Sequence, residues 1–510
     1  MDRNEEQNGR VQLKFTEKTL PLELTAEFML PDYRSEISRL LWVRPTFLPP
    51  ARFVGGGKAD FSGGVHYEML YVGPDGGLYS TDLEDSYAFS VPLDTLAGYD
   101  ASAGVELTAE LVTDAVVSRV AAPRKLSVRC RLHARICGYA VKDLAPRTTG
   151  VAEEKIERLC TVGENGRLFT GGGETFEVAD SVPVETEGDL RVIGAHGTVF
   201  LPEVAALSDA VRCRGEAVLT FLVCREGEEG AQCPPLAITR RIPFEREVAL
   251  EGIMPDCRAR AMGTVGGIRT AVEEGKLNVD VQLVLAVEGQ SEEPVVLTRD
   301  LFAPGTVAEC RFSEESLWRA GGCGNRHFSV AGEVPVEGLS VPAGAEILDA
   351  VAEAEMRERS TDGGRTVLSG ELHCHALYRG GDGYGVADFS IPFRTVLDES
   401  CEELALSCCV PICRVGATNG ALRADAEVQL ALRAARTEPQ RVLTEARFVP
   451  APSETRTDLE ICYPSAGETL WDVSKRYGMS PEVLAAANGI SAEAPGAPES
   501  LADTKYLMIP

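Results

Sequence analysis

The stretch Leu126-Ser127-Val128-Arg129-Cys130-Arg131-Leu132-His133-Ala134-Arg135-Ile136 alternates strictly between apolar and polar residues. Leu126, Val128, Cys130, Leu132, Ala134 and Ile136 share one face, while Arg129, Arg131, His133 and Arg135 take the other. A period of two over this length specifies a strand buried on one side, because successive side chains of extended backbone point to opposite faces. The pattern returns twice. Leu277, Val279, Val281, Leu283, Leu285 and Val287 stand against Asn278, Asp280 and Gln282; Leu422, Ala424, Ala426, Val428, Leu430 and Leu432 stand against Arg423, Asp425, Glu427 and Gln429. Each copy follows a turn signal, at Ala122-Pro123-Arg124-Lys125, Glu273-Glu274-Gly275-Lys276 and Thr418-Asn419-Gly420-Ala421, so each closes a hairpin.

Upstream of each copy lies a proline followed by Leu or Phe, at Pro92-Leu93, Pro243-Phe244 and Pro392-Phe393, a repeat of about 150 residues. Ahead of each proline a glycine (Gly63-Gly64, Gly215, Gly370) introduces an apolar strand, a polar turn and a return strand, the pattern of a hairpin. Extended segments at 45–54, 192–201 and 328–349 open the units, and helix is expected only at 36–41 and 350–359. The chain therefore reads as mainly β. Three repeated antiparallel β domains are expected at 1–147, 148–295 and 296–447. A Pro-rich linker at 448–460 then leads to a small α+β module at 461–510.

Composition narrows the function classes. A chain of 510 residues with 44% hydrophobic and 25% charged residues has the balance of an ordinary soluble protein. The formal charge of −28 argues against nucleic acid, which demands a basic footprint. Fifteen cysteines, an odd number at irregular spacing, suit reduced thiols in a cytoplasm better than a disulfide framework. The N-terminal residues Met1 to Gln7 carry charge and no apolar run, and no stretch is long and apolar enough to span a membrane. A cytoplasmic chain without a transmembrane segment is expected.

No catalytic, metal or cofactor signature stands out. Gly55-Gly56-Gly57-Lys58 superficially suggests a phosphate loop, but Ala59 follows the lysine and the Walker spacing is missing, so a connection between strands is the better reading. His373-Cys374-His375 lies on a strand, which puts the histidines on one face and the cysteine on the other. With Cys408, Cys409 and Cys413 it is better read as structural thiols and surface histidines than as a zinc site. Carboxylate pairs such as Glu228-Glu229 and Glu402-Glu403 are the solvated turns that this acidity produces. A non-enzymatic protein without cofactors is expected.

The module at 461–510 has sharp helix punctuation. Thr469 is placed as an N-cap before Leu470, Val473 and Tyr477, and Gly478 as the stop; Ser480-Pro481 starts a second helix that Gly489 ends. Strands Ile461-Cys462-Tyr463 and Tyr506-Leu507-Met508-Ile509-Pro510 bracket the pair. Gly467-Glu468-Thr469-Leu470-Trp471, Tyr477, Leu484, Asn488, Ile490 and Leu507-Met508-Ile509-Pro510 together closely resemble a LysM domain. Two departures stand out: Glu468 replaces the usual Asp, and Leu501-Ala502-Asp503-Thr504 replaces the usual approach to the last strand. The resemblance implies a groove for N-acetylglucosamine polymers between the loop after the first strand and the loop before the last. Its contacts would be Gly467, Glu468, Thr469 and Leu470 on one side and Ile490, Ser491 and Ala492 on the other, with Trp471 and Tyr477 assigned to the module's core.

Repeated β units of about 150 residues followed by one C-terminal LysM module resemble the SPOCS-domain proteins of spore-forming Firmicutes. That resemblance implies a mother-cell protein at the forespore surface whose LysM module docks the spore-coat morphogenetic ATPase of the basement layer. Self-association through strand edges is a further expectation. The alternative is a peptidoglycan-binding protein of the wall or cortex. A wall hydrolase would need a catalytic domain for which the repeats leave no room.

Overall fold

The computed structural model describes residues 9–100, 103–183, 190–225, 234–273, 275–339, 341–381, 383–397, 402–418, 420–451, 460–490, 501 and 504–510. Six long strands recur in each third of the chain. The first unit contains β1 (Arg10–Met29), β2 (Arg39–Phe47), the short β3 (Ala51–Gly55), β4 (Lys58–Val72), β5 (Leu78–Pro92), β6 (Val105–Ala122) and β7 (Lys125–Asp143). After a short β8 (Arg147–Thr149), the second unit runs through β9 (Glu157–Pro183), β10 (Leu190–Leu207), β11 (Ala210–Arg225), β12 (Leu236–Ala249), β13 (Arg258–Glu273) and β14 (Lys276–Phe302). The third comprises β15 (Thr306–Pro335), β16 (Glu346–Asp362), β17 (Arg365–Gly380), β18 (Gly383–Leu397), β19 (Glu403–Thr418) and β20 (Ala421–Pro450). The last strands of units two and three thus continue unbroken past residues 295 and 447.

Every unit uses one topology. Its last strand lies between its first and fifth (β1-β7-β6, β9-β14-β13, β15-β20-β19), and its third lies between its second and fourth (β2-β4-β5, β10-β11-β12, β16-β17-β18). All these pairings are antiparallel. The two sheets of a unit face each other over a single core, giving a sandwich whose inner wall is the alternating strand of the sequence. Leu277, Val279, Val281, Leu283, Leu285 and Val287 are all buried there, as are their counterparts on β7 and β20.

Two expectations are corrected. Helix was expected at 36–41 and 350–359, but the backbone is extended at both, in the approach to and start of β2 and within β16. Residues 350–359 are rich in helix formers, yet Ala352, Ala354 and Met356 alternate toward the core of the third sandwich while Glu353, Glu355 and Arg357 face out. Pairing with β17 outweighs an intrinsic preference worth only tenths of a kcal/mol per residue. Gly55 pairs with Lys58 across a two-residue turn in which Gly56 and Gly57 both have positive φ, the primed turn that suits a hairpin.

The glycines ahead of the hairpins have a steric reason. A Cβ on Gly215 would run into the carbonyl oxygen of Phe200, and one on Gly370 into that of Glu355. Each glycine lies where the neighbouring second strand is kinked by a bulge, and each is paired across the other edge with the phenylalanine of the Pro-Phe dipeptide. In the first unit the register counterpart is Gly57, whose carbonyl takes the N–H of Leu93, rather than Gly63-Gly64.

The three sandwiches converge at two junctions. At one, a bulge in the second strand of each unit displaces Leu41, Ile193 and Leu348 from register, and all three pack in a shared cluster with Leu70, Leu222 and Leu377. At the other, the last strands carry on beyond their sandwiches and bring Cys137, Glu288 and Arg433 to equivalent positions. Glu288 is buried between Arg260, whose Nη2 is 2.8 Å away, and Arg433, whose Nε is 3.4 Å away. Arg260 Nη1 also donates to the carbonyls of Ala405 and Ala431 in the third unit. Burial alone would raise the pKa of Glu288, but the two guanidiniums outweigh it and hold the carboxyl below its usual range.

Two predictions follow from this packing. Glu288→Gln leaves two buried cations without their counter-charge and should cost about 3–5 kcal/mol in denaturant unfolding at pH 7. Because the folded carboxyl has the lowered pKa, its contribution is present above the unfolded value and lost as pH falls through the folded one. The gap between wild type and variant should therefore close below about pH 4. Gly370→Ala should destabilise by about 1–3 kcal/mol through the clash with the Glu355 carbonyl, measured in the same way.

Candidate functional site

The C-terminal module comprises β21 (Glu460–Cys462), α1 (Leu470–Tyr477), α2 (Pro481–Asn488) and β22 (Leu507–Ile509). β21 and β22 pair antiparallel, and both helices pack on one face of this ribbon around Leu470, Val473, Leu484, Leu501, Leu507 and Ile509. Helix α1 starts with a full capping box: Thr469 accepts from the Asp472 N–H, and the Asp472 carboxylate accepts from the Thr469 N–H. Gly478 and Gly489 end the helices in the left-handed conformation. Asn488 ties α2 to the last strand, donating to the Met508 carbonyl and accepting from its N–H.

The expected contact residues serve distinct local roles. Gly467 forms an exposed turn at φ +85°, with open space where a Cβ would stand. Glu468 is pinned: its carboxylate accepts from the Ser465 N–H at 2.7 Å and pairs with Arg476, and its carbonyl accepts the N–H of Leu501. This last bond joins the loop after β21 to the end of the loop before β22. Thr469 caps α1, and the Leu470 side chain lies in the core. Ile490 packs against that core at the start of the second loop; Ser491 and Ala492 lie outside the described residues.

Trp471 departs from the expected placement. It does not join the module's core, whereas Tyr477 does pack against it. The indole instead stands edge-on to Phe302 at 4.9 Å between ring centres and donates to Asp300 at 2.9 Å. Lys475, one helical turn later on the same face, places Nζ 2.6 and 2.7 Å from the two Asp300 oxygens. Both targets sit at the end of β14, so α1 fastens the module to the β body. The signal available in sequence was a tryptophan and a lysine four apart, set off from the Leu470/Val473/Tyr477 stripe.

The outer face of the ribbon presents Ile461 and Met508, opposite each other and exposed, and Tyr463 and Tyr506, which flank the two strands, are exposed as well. Residues 465–494 match the family model for the LysM domain. The chain carries a LysM domain. No curated protein and no solved structure matches the chain. His373 and His375 lie on the outer face of β17, His373 bonded to Ser390 and Glu355 and His375 to Asp388, while Cys374 points into the core. Among the described residues no helix is long and apolar enough to cross a membrane.

Trp471→Ala removes both the ring contact and the hydrogen bond to Asp300. In small-angle scattering the variant should show a larger radius of gyration than wild type, with the far-UV circular dichroism unchanged. An identical scattering profile would mean that the module is held by something other than this contact.

Proposed function

We propose that the protein is a non-enzymatic binding protein in which the LysM domain recognises N-acetylglucosamine polymers, as in peptidoglycan, and the three sandwiches form the scaffold that holds it. The family match carries this reading, supported by the closure of the two loops through the Glu468 carbonyl and Leu501 N–H. Uncharged glycan does not require a basic surface, so a net charge of −28 does not stand against it.

A second reading is favoured by the exposed apolar face of the ribbon. Ile461 and Met508 face each other across the ribbon and Tyr463 and Tyr506 flank it, all four exposed, and tyrosine is enriched at protein-binding surfaces. On this reading the module is an adaptor that docks the spore-coat morphogenetic ATPase at the forespore surface of the mother cell, as the order of the β units suggests by resemblance.

Co-sedimentation of the full chain with purified peptidoglycan separates the two. Saturable sedimentation that excess chito-oligosaccharide abolishes, and that a chain lacking residues 461–510 does not show, is the expected result. Absence of sedimentation, with capture of the coat ATPase that resists the oligosaccharide and is lost in Tyr463→Ala/Tyr506→Ala, would replace the glycan reading with the adaptor one.

A further inference from the structure

Two thiols meet inside the third sandwich. Cys374 is buried on β17 and Cys413 packs against the same core from β19, so the two stand on opposite sheets of one sandwich. They hydrogen-bond to each other across that core. The sheets are close here because β16, the neighbour of β17, closes onto β19 with Cα atoms within 8 Å. Ala352 beside Cys374 and Ala426 beside Cys413 put little bulk between the strands.

The corresponding places in the other two sandwiches are apolar. Matching the pairs Gly215–Phe244 and Gly370–Phe393 puts Leu219 at the position of Cys374, and the bulge that each fifth strand makes opposite Gln282 or Glu427 puts Ile268 at the position of Cys413. The first unit has Phe61 and Val116 there. Both of these pairs belong to the cores of their sandwiches. In the third unit both members are cysteine. A single buried cysteine is an ordinary small core residue, whereas two in contact on facing strands form a place where a covalent bond can close. The nearby Cys409 is turned out of this core, with its Sγ bonded to the Val199 carbonyl of the second unit at 3.7 Å.

We propose that Cys374 and Cys413 are a redox pair, which a low-molecular-weight disulfide converts into a covalent bond between the two sheets of the third sandwich. Cys413 is partly exposed and β19 is a terminal strand of its sheet, so the reagent reaches Cys413 first. The Cys413 thiolate, its proton lost to solvent, attacks one sulfur of the small disulfide and expels the other as a thiolate. Cys374, losing its own proton, then attacks the Cys413 sulfur and expels the second small thiolate. The pair gives up two electrons and two protons to form one S–S bond, and the small disulfide takes them up as its own S–S bond breaks to leave two thiols.

The bond closes a loop of about 40 residues and ties β17 to β19, which removes freedom from the unfolded chain and holds the terminal strand against local opening. The thiol pool of a cytoplasm keeps such a pair reduced, and oxidising surroundings close it. The third sandwich also supplies Arg433 to the charged junction with Glu288, so closing the bond stiffens a unit on which the packing of all three depends.

The test treats the folded full chain with 2-hydroxyethyl disulfide, blocks the remaining thiols by alkylation and maps the digest by mass spectrometry. The expected product is a bond between Cys374 and Cys413, reversed by dithiothreitol, in a chain that keeps the far-UV circular dichroism of the reduced form. Thermal unfolding of the oxidised chain should shift upward by about 5 °C. Cys408→Ala should form the same bond, and Cys413→Ala should leave Cys374 unlinked; the wild-type map is decisive even where a variant does not fold. The proposal is overturned if Cys374 and Cys413 stay as thiols or end as separate mixed disulfides, or if Cys374 is joined to a different cysteine. It is equally overturned if the bond forms only in denaturant, or if the oxidised chain unfolds no higher than the reduced one.

Discussion

The assembly of this chain depends on a carboxylate held between two arginines in a dry junction. Glu288 and Arg260 belong to the second unit and Arg433 to the third, and Arg433 Nη1 reaches the Tyr139 hydroxyl of the first at 3.4 Å. Each sandwich has its own apolar core and could in principle close by itself, so hydrophobic burial alone would not fix how the three meet. A buried charge network does, because rotating one unit against another strands a charge that costs several kcal/mol to leave unpaired. The apolar cluster at the opposite junction has no such directionality. It gains area through Leu41, Ile193 and Leu348, each delivered by a bulge, while the polar junction supplies register.

These bulges connect local geometry to overall shape. A regular strand would point Leu41, Ile193 and Leu348 along the sandwich, and the extra residue in each case turns the chain toward the shared junction. Separate bulges further along the second strands, between Phe200 and Glu203 and between Met356 and Glu358, lie beside the Phe200 and Glu355 carbonyls that approach the facing strand, which is why Gly215 and Gly370 are glycines. Sheet edges are also managed. The fourth strand of each unit is a terminal strand, and Pro243 and Pro392 remove N–H groups from β12 and β18, the first of which is also set with Arg240, Arg241, Glu245, Arg246 and Glu247. A proline at these two edges disfavours pairing with another chain there.

How much of this was legible follows from which faces are dry. Where a strand is wet on one side, as at Leu126–Ile136, alternation is strict and the core face can be read residue by residue. Where β20 enters the junction, residues 428–435 are buried on both sides and the sequence Val-Gln-Leu-Ala-Leu-Arg-Ala-Ala has no period to report. The buried Arg433 reads there as an ordinary surface residue. At 350–359 the alternation was present, but small and charged helix formers concealed it. The LysM helices were legible because Thr469, Gly478, Pro481 and Gly489 act locally, through caps that need no tertiary partner. Trp471 was not, because its partners lie about 170 residues earlier in the chain.

The attachment through Trp471 also limits what the module can offer a partner. Helix α1 has spent one face on its own core and a second on Asp300 and Phe302, and α2 is tied to β22 through Asn488. Two surfaces remain on the described residues. One is the end where the loops meet at Glu468 and Leu501, and the other is the outer face of the ribbon flanked by Tyr463 and Tyr506. They lie on different elements, and neither contributes to the docking contact, so each can be altered without undocking the domain. A groove held by caps and backbone bonds suits a polar chain ligand, and a flat apolar ribbon suits a protein. The scaffold fixes both relative to the β body, so that whichever surface is engaged, its occupant is oriented with respect to all three sandwiches.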